Sequence, residues 1–184
     1  MEISDLKSEV RRAARGDTEA AAVLFDHYYP RVFRYARAKL RDDADAEDVA
    51  AEAFARVLKG LGKFRWKGAG FEAWIFRIAS NLVVDSLRAS SRERAEEDVS
   101  EDLVGEGDAP ETMVLQMEDR KGLEAMLGRL AADQREVLLL RFGAGLDTHE
   151  TGKVMKRNAN AIRQLQFRAL EKLREMNQAE ALRP

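Results

Sequence analysis

The sequence predicts an all-α fold in which an acidic flexible linker joins two small helical domains, the second of them a helix-turn-helix. Apolar residues recur at helical spacing over most of the 184 residues, and only 3 prolines and 12 glycines interrupt the chain. Periodicity is lost in one acidic stretch near the middle. We expect the first domain to span 1–89, the linker 90–114 and the second domain 115–178.

The first domain opens with two expected helices, over 4–14 and 18–40. Gly16 and Asp17 between them are typical of a helix C-cap and the following N-cap. Helical spacing predicts the buried face of the second helix, namely Phe25, Tyr29, Val32, Phe33, Ala36 and Leu40.

Two further helices complete the expected first domain. One begins in the acidic run Asp42–Asp48 and ends near Lys59–Lys63, so its charges complement the helix dipole at both ends. The other covers Phe71–Leu87, where Phe71, Ile75, Ile78 and Leu82 form an apolar stripe.

Composition limits the class of protein. The formal net charge of -2 conceals an acidic stretch, Ala89–Pro110, and a basic one, Lys153–Arg174. With no cysteine in the chain, disulfides and thiolate metal sites are excluded, as suits a reducing compartment. No apolar run is long enough to cross a bilayer, so we expect a cytoplasmic protein that does not insert into membranes.

A glycine-bearing loop of the first domain and the helix after it combine cations with aromatic rings. Cations bind phosphates and exposed rings stack on bases, so this mixture predicts capture of single-stranded nucleic acid. The alternative is that the two tryptophans only fill the core. The candidate residues are Lys63, Phe64, Arg65, Trp66, Lys67, Trp74, Arg77 and Asn81, with Trp66 expected to be exposed and Trp74 to support it.

The second domain is predicted to end in a helix-turn-helix. Helices are expected over Asp133–Phe142, Thr148–Met155 and Asn160–Glu175, with a turn through residues 156–158. The polar face of the last helix carries an aromatic residue, Phe167, that loses the benefit of burial unless a partner such as DNA covers it. An incidentally exposed ring is the alternative. The candidate base and phosphate readers on this face are Arg163, Gln164, Phe167 and Arg168.

Catalysis has no visible basis in the sequence. The two histidines, His27 and His149, lie in different expected domains, and neither has a metal-ligating or catalytic spacing. No phosphate-binding or dinucleotide glycine motif is found. We therefore expect no enzyme activity, no cofactor and no metal.

Both halves together resemble the extracytoplasmic-function (ECF) sigma factors, the two-domain class of bacterial transcription initiation factors in the sigma-70 family. DAEDVAAEAFARVLKGLGKF followed by FEAWIFRIASNLVVDSLR resembles the family's region 2. LAADQREVLLLRFGAGLDTHETGKVMKRNANAIRQLQFRALEKLRE resembles its region 4. The two blocks occur in the family's order, with an acidic linker between them, and the resemblance covers nearly the whole chain.

The resemblance implies a factor that binds core RNA polymerase, directs it to specific promoters and helps to melt the minus-10 element. The loop residues then correspond to the minus-10 capture site, and an anti-sigma factor is a further candidate partner. The implied minus-35 readers are Arg157, Asn158, Asn160, Arg163, Gln164, Phe167 and Arg168. The implied contacts with core polymerase are Asp45, Asp48, Val49, Glu52 and Phe54.

A second reading stays open from the residues alone: an autonomous helix-turn-helix regulator whose first domain dimerises or binds an effector. Three departures from the family pattern also limit what the resemblance predicts about promoter sequence. Ala51 stands where the family often has Gln, Leu165 where it often has Arg, and Thr151-Gly152 where it usually has Ile-Ala. We expect Gly152 to weaken its helix by about 1 kcal/mol relative to Ala unless tertiary contacts compensate.

Overall fold

The structure is a computed structural model that describes residues 5–40, 42–66, 70–96 and 122–181, with side chains through residues 92 and 179 in the last two ranges. Every regular element within these ranges is helical. The helices are α1 Leu6–Ala13, α2 Thr18–Leu40, α3 Asp43–Gly60, α4 Gly70–Glu96, α5 over residues 122–128, α6 Ala132–Leu138, α7 Thr148–Met155 and α8 Ala159–Ala181. A 3-10 turn, Leu61–Lys63, follows α3, and a π turn, Leu139–Gly143, follows α6.

The first domain is built from α1 to α4 around an aromatic core. Tyr28, Tyr35, Phe71 and Phe76 are fully buried, and the rings of Tyr28 and Phe71 meet edge to face at 5.5 Å. Asp17 caps α2 by accepting a hydrogen bond from the backbone N–H of Ala20. Capping and ring packing together hold the four helices in register.

The buried face of α2 is rotated from the expected one. Leu24, Tyr28, Val32 and Tyr35 point into the core, whereas Phe25 is 41% exposed. The expectation was wrong at Phe25 because apolar and aromatic residues occur on more than one side of this helix, so that spacing alone does not choose the face.

Two helix boundaries differ from those expected. α4 continues to Glu96 rather than ending at Leu87, because residues 88–96 include good helix formers and no glycine or proline. The expected helix over Asp133–Phe142 ends as α6 at Leu138 and continues as the π turn. The expected linker over 90–114 therefore begins as helix, and its residues 97–114 lie outside the described ranges.

The second domain, α5 to α8, packs directly on the first. Its own core includes Leu130, Val137, Ile162, Ala169 and Met176. The π turn and the segment after it extend the core of the first domain with Leu139, Leu140, Ala144 and Leu146. α4 lies against α7, and α2 lies against the π turn. No helix in the described ranges is both long enough and apolar enough to span a bilayer.

Candidate nucleic-acid and polymerase-binding surfaces

The loop after α3 holds a partly exposed tryptophan on a base of aromatic side chains. Trp66 is 36% exposed, as expected, and its ring meets Phe64 edge to face with centroids 5.1 Å apart. Phe64 in turn contacts Phe71 at 5.3 Å and Trp74 at 4.9 Å. The aromatic base fixes the indole of Trp66 while leaving part of it open to a partner.

The cations of this loop form no described ion pair. Lys63 is exposed, and among the described residues the Arg65 guanidinium donates to the carbonyl oxygens of Gly62 and Phe64, at 3.2 and 3.1 Å. Lys67, the remaining candidate, lies outside the described residues. A cation without a carboxylate partner can contribute its full charge to a phosphate.

Trp74 supports the loop from below. Its side chain is partly buried in the first-domain core. A Cβ at Gly60 would come within 2.8 Å of its ring, so a glycine at that position makes room for the indole. Trp74 therefore packs into the first domain beneath Phe64, and its role as support for Trp66 stays a prediction.

The two remaining candidates on α4 lie where the second domain touches the first. Arg77 and Asn81 are exposed, but the Arg77 guanidinium donates to the carbonyl oxygen of Lys153 on α7 at 3.2 Å. Both residues line a cleft of about 270 Å³ that also includes Lys156. Arg77 and Asn81 thus share one cleft, Trp74 packs toward the core instead, and the sequence did not show that α7 lies beside them.

The helix-turn-helix is held by two caps and one left-handed residue. Asp147 and Glu150 form a capping box on α7, with both N–H to carboxylate distances at 2.7 Å. Lys156 ends α7 with a φ of 56°. Asn158 then caps α8 by accepting from the N–H of Ala161 at 2.8 Å. These contacts fix the direction in which α8 leaves the turn.

Three residues at the start of α8 were expected to contact DNA. Arg157 forms an ion pair with Asp133 at the start of α6, and Asn158 provides the cap just described. Asn160 is exposed. Two of the three therefore already have structural contacts that position the helix.

Gly152 is required by the packing of the turn. It is buried, and a Cβ there would come within 2.6 Å of the carbonyl oxygen of Arg157. The N–H of Arg157 donates to the carbonyl of Gly152 at 2.8 Å. This close packing, which only glycine allows, offsets the low helix propensity of Gly152 that the sequence analysis noted.

The expected reading face of α8 is open and positively charged. Arg163, Gln164, Phe167 and Arg168 are all exposed, Phe167 to 60%, and together they border a shallow depression of about 510 Å³. Within the described part of the chain, neither arginine forms an ion pair. Below this face Ile162 and Ala169 are fully buried, as expected from the helical spacing.

On α3 the expected polymerase contacts divide into two groups. Asp45, Asp48 and Glu52 are exposed, and Glu52 is paired with Arg56 at 2.7 Å. Val49 and Phe54 are 6% and 2% exposed. Their side chains belong to the domain core here, so only the acids are open to a partner.

An exposed aromatic residue beside α3 was missed by the sequence reasoning. Phe25 stacks on Tyr29 with centroids 4.6 Å apart and meets Phe54 edge to face at 4.9 Å. Leu58 on α3 is also 44% exposed. The burial of Leu24, Tyr28 and Val32 turns Phe25 outward, and the sequence carried no clear signal for this because apolar residues lie on more than one side of α2.

A polar network joins the two domains and was also missed. Arg31 donates from Nε to the carbonyl oxygen of Ala144 at 2.8 Å and from Nη1 to Glu72 at 2.9 Å. Nη1 also lies 3.2 Å from Nε2 of His27. Arg31 lies three positions after buried Tyr28, on a partly buried part of α2, where a charged side chain needs polar partners. Its place in the helix was the signal in the sequence.

Within this network two carboxyl groups from different domains meet. Burial, followed by the hydrogen bond with Glu72, raises the pKa of Glu150 to about 7. Burial acts to raise the pKa of Glu72 as well, but the hydrogen bonds with Glu150 and Arg31 outweigh it and leave that pKa below its ordinary value. Below about pH 7 the proton of the pair therefore lies on Glu150, where it can bridge to the ionised Glu72.

A second polar contact lies at the other side of the interface. The hydroxyl of Tyr35 donates to Glu136 at 2.6 Å, and Nζ of Lys39 donates to the other carboxylate oxygen at 2.5 Å. Burial and the neighbouring Glu136 carboxylate raise the pKa of Tyr35 well above its ordinary value. Glu136 is thus held by two residues of the first domain.

Comparison with known proteins identifies both domains. Residues 24–93 match Sigma-70 region 2, and residues 126–175 match Sigma-70, region 4. The ECF RNA polymerase sigma factor ShbA of Streptomyces griseus is 36% identical over 174 residues, covering 90% of this chain and 91% of that protein. The ECF RNA polymerase sigma factor BldN of Streptomyces coelicolor is 39% identical over 166 residues, covering 89% of this chain, which spans only 62% of BldN.

Solved structures agree in fold. CnrH, in complex with the cytosolic domain of CnrY, superposes with a TM-score of 0.72 at 23% identity, covering 95% of this chain and 99% of CnrH. The match to region 2 accounts for the first domain, so the reading of an autonomous regulator is not favoured. The chain belongs to the ECF sigma factors, the sigma-70-family proteins that bind core RNA polymerase and direct it to promoters.

Proposed function

We propose that this sigma factor reads the minus-35 element with the open face of α8. The observation that carries the proposal is the exposed Phe167 between two arginines that have no acidic partner among the described residues, on a helix whose opposite side is buried. Arginine suits guanine edges and phosphates, and an apolar ring suits a thymine methyl group. The proposed surface comprises Arg157, Asn158, Asn160, Arg163, Gln164, Phe167 and Arg168.

Alanine variants in the reconstituted holoenzyme test the minus-35 proposal. Replacing a residue that contacts a base should weaken DNA binding by about 1–3 kcal/mol and relax base selection at one position. Replacing a residue that contacts a phosphate should instead lower the slope of log affinity against log salt by about 1. Lys172→Ala is the control for lost charge, because Lys172 is exposed on the same helix and already faces Glu175. If Arg163, Gln164, Phe167 and Arg168 variants all keep full affinity and base selection, α8 is not the reading helix.

For the minus-10 element, we propose that the loop and α4 capture the non-template strand as it melts. A partly exposed indole can stack on an extracted base, and Lys63 and Arg65, which form no ion pair with any described residue, can hold phosphates beside it. Arg77 must exchange its contact with Lys153 to take part. The proposed residues are Lys63, Phe64, Arg65, Trp66, Lys67, Trp74, Arg77 and Asn81.

Templates that differ only in melting test this second surface. Extracting a base costs a few kcal/mol, and stacking on an aromatic ring returns about 1–3 kcal/mol. Trp66→Ala should therefore depress transcription from duplex promoters far more than from templates already melted across the minus-10 element. Core polymerase binding should be unchanged. An equal loss on both templates would remove the loop from the melting step.

The exposed acids of α3 are proposed to dock on core polymerase. Asp45, Asp48 and Glu52 face solvent, while Val49 and Phe54 support the helix from the core. Complementing the N-terminus of α3 is the alternative role for the acids. Asp48→Lys should abolish polymerase capture in a pull-down, and the neighbouring exposed Glu47→Lys should not. Full capture by Asp48→Lys would exclude this contact.

The remaining proposals concern organisation and location. We propose domain limits of 1–89 and 115–178 with a linker over 90–114, a cytoplasmic location beside polymerase, and action through binding rather than catalysis.

CnrH was solved with CnrY, and RpoE of Bartonella quintana with the anti-sigma factor NepR. We propose an anti-sigma partner here too, to be tested by pull-down with proteins encoded beside this one.

A further inference from the structure

The first helix places a lysine over the exposed tryptophan of the minus-10 loop. Nζ of Lys7 lies 5.6 Å from the centroid of the Trp66 ring. α1 is fixed in that position, because Asp5 caps its first turn and Val10 is buried in the core. Leu6, beside Lys7, also packs on the core. The contact therefore joins a well-anchored helix to the loop.

Lys7 differs from its neighbour Arg12 in the partner that its charge meets. Arg12, on the same helix, is tied to Glu9 at 3.2 Å and to Asp17 at 2.7 Å. In the part of the chain that the structure describes, Lys7 has no such acidic partner, and its recorded partner is the face of the indole. An ammonium group over an indole is attracted by the ring and keeps its charge available to an anion.

We infer that Lys7 is a further cation of the minus-10 capture surface, beside Lys63 and Arg65. It covers the ring of Trp66 before DNA arrives and binds a phosphate of the single strand once a base stacks there. The inference rests on the proposed role of the loop and extends the surface to α1. The flexible stem of lysine can move its head from the ring face to the rim, where the phosphates beside a stacked base lie.

Phosphate binding by Lys7 has a measurable signature. Each phosphate neutralised on a single strand contributes about 0.7 to the slope of log affinity against log salt. A residue that only packs on Trp66 would change affinity without changing that slope. The salt dependence therefore separates a strand contact from a structural one.

Binding by the reconstituted holoenzyme provides the test. The probe is a fluorescein-labelled single strand carrying the non-template minus-10 region of a promoter that the holoenzyme transcribes. We expect Lys7→Ala to weaken binding by about threefold to tenfold at low salt and to reduce the slope by about 0.7. Lys7→Arg should retain both values. Arg34→Ala, which removes an exposed cation from α2, should change neither.

The outcomes distinguish a failure of the Lys7 inference from a failure of the proposed minus-10 role of the loop. A loss with Trp66→Ala but an unchanged affinity and slope with Lys7→Ala would overturn the role of Lys7 and leave the loop in place. A loss of affinity without a change of slope would also overturn it, because Lys7 would then only pack. An unchanged affinity with Trp66→Ala would overturn both. Thermal melting and core binding of each variant check that the fold is retained.

Discussion

At Gly152, two effects on stability oppose one another. Alanine is favoured over glycine in a helix by about 1 kcal/mol. Here, however, its Cβ would approach the Arg157 carbonyl oxygen to 2.6 Å, and crowding of this kind typically costs about 1–3 kcal/mol. We expect Gly152→Ala to destabilise the second domain, measured as a lower urea midpoint. Gly122→Ala, whose Cβ would meet nothing within 4 Å, is the control, and equal midpoints for the two variants would contradict the expectation.

Alanine variants of the two tryptophans should differ in how much free energy of unfolding they lose. Trp74→Ala removes a partly buried ring that packs on Gly60 and Phe64, so we expect a loss of about 2–3 kcal/mol. Trp66→Ala removes a more exposed ring and should cost about 1 kcal/mol or less. Urea unfolding measures both values. A larger stability loss at Trp66 than at Trp74 would reverse the assignment of stacking surface and support.

At the scale of one element, α7 depends on its capping box. Asp147 accepts from the N–H of Glu150, and the Glu150 carboxylate accepts from the N–H of Asp147. Asp147→Ala should therefore destabilise the domain by about 1 kcal/mol, whereas Asp147→Asn keeps an acceptor and should cost much less. Urea unfolding compares them. Equal losses would show that charge, rather than the cap, is what Asp147 contributes.

The helices differ in how well the sequence predicted them. The bounds of α2 and α7 were predicted as found, because caps and helical spacing act locally. The π turn after α6 was not predicted, since it depends on Leu139 and Leu140 packing against the first domain. Local patterns likewise predicted the open face around Phe167. They could not predict that Arg77 meets Lys153, because residues this far apart in sequence leave no periodic signal.

For the whole molecule, Glu136 makes one of the polar contacts that hold the two domains together. Removing it leaves the Tyr35 hydroxyl and the Lys39 ammonium without their acceptor, and an unsatisfied buried group costs about 1–3 kcal/mol. We expect Glu136→Ala to shift the domains apart. The chain has no native cysteine, so dyes on Arg34→Cys and Gln178→Cys report the separation by energy transfer. Exposed Glu171→Ala is the control, and an unchanged transfer efficiency in Glu136→Ala would refute the expectation.

The same dyes test whether domain contact depends on pH. In contact, Glu150 has a pKa of about 7 against an ordinary 4.5, so closing the interface takes up a proton between these values. Glu72, with its pKa below the ordinary value, stays ionised across most of that window. Contact is therefore favoured at low pH and weakens as pH rises through about 7. Solvent screening at a half-buried site limits the expected change in the ratio of closed to open molecules to about threefold to tenfold.

Glu150→Gln isolates the bridging proton. Glutamine can donate to Glu72 at every pH and still completes the capping box with Asp147. Tyr28, Arg31 and His27 from α2 and Asp147 from the start of α7 also face the pair, so His27→Gln is measured alongside. We expect energy transfer to fall between pH 5 and about 7 in the wild type and in His27→Gln, and to stay level in Glu150→Gln. A Glu150→Gln profile that follows the wild type would assign the pH response to another group.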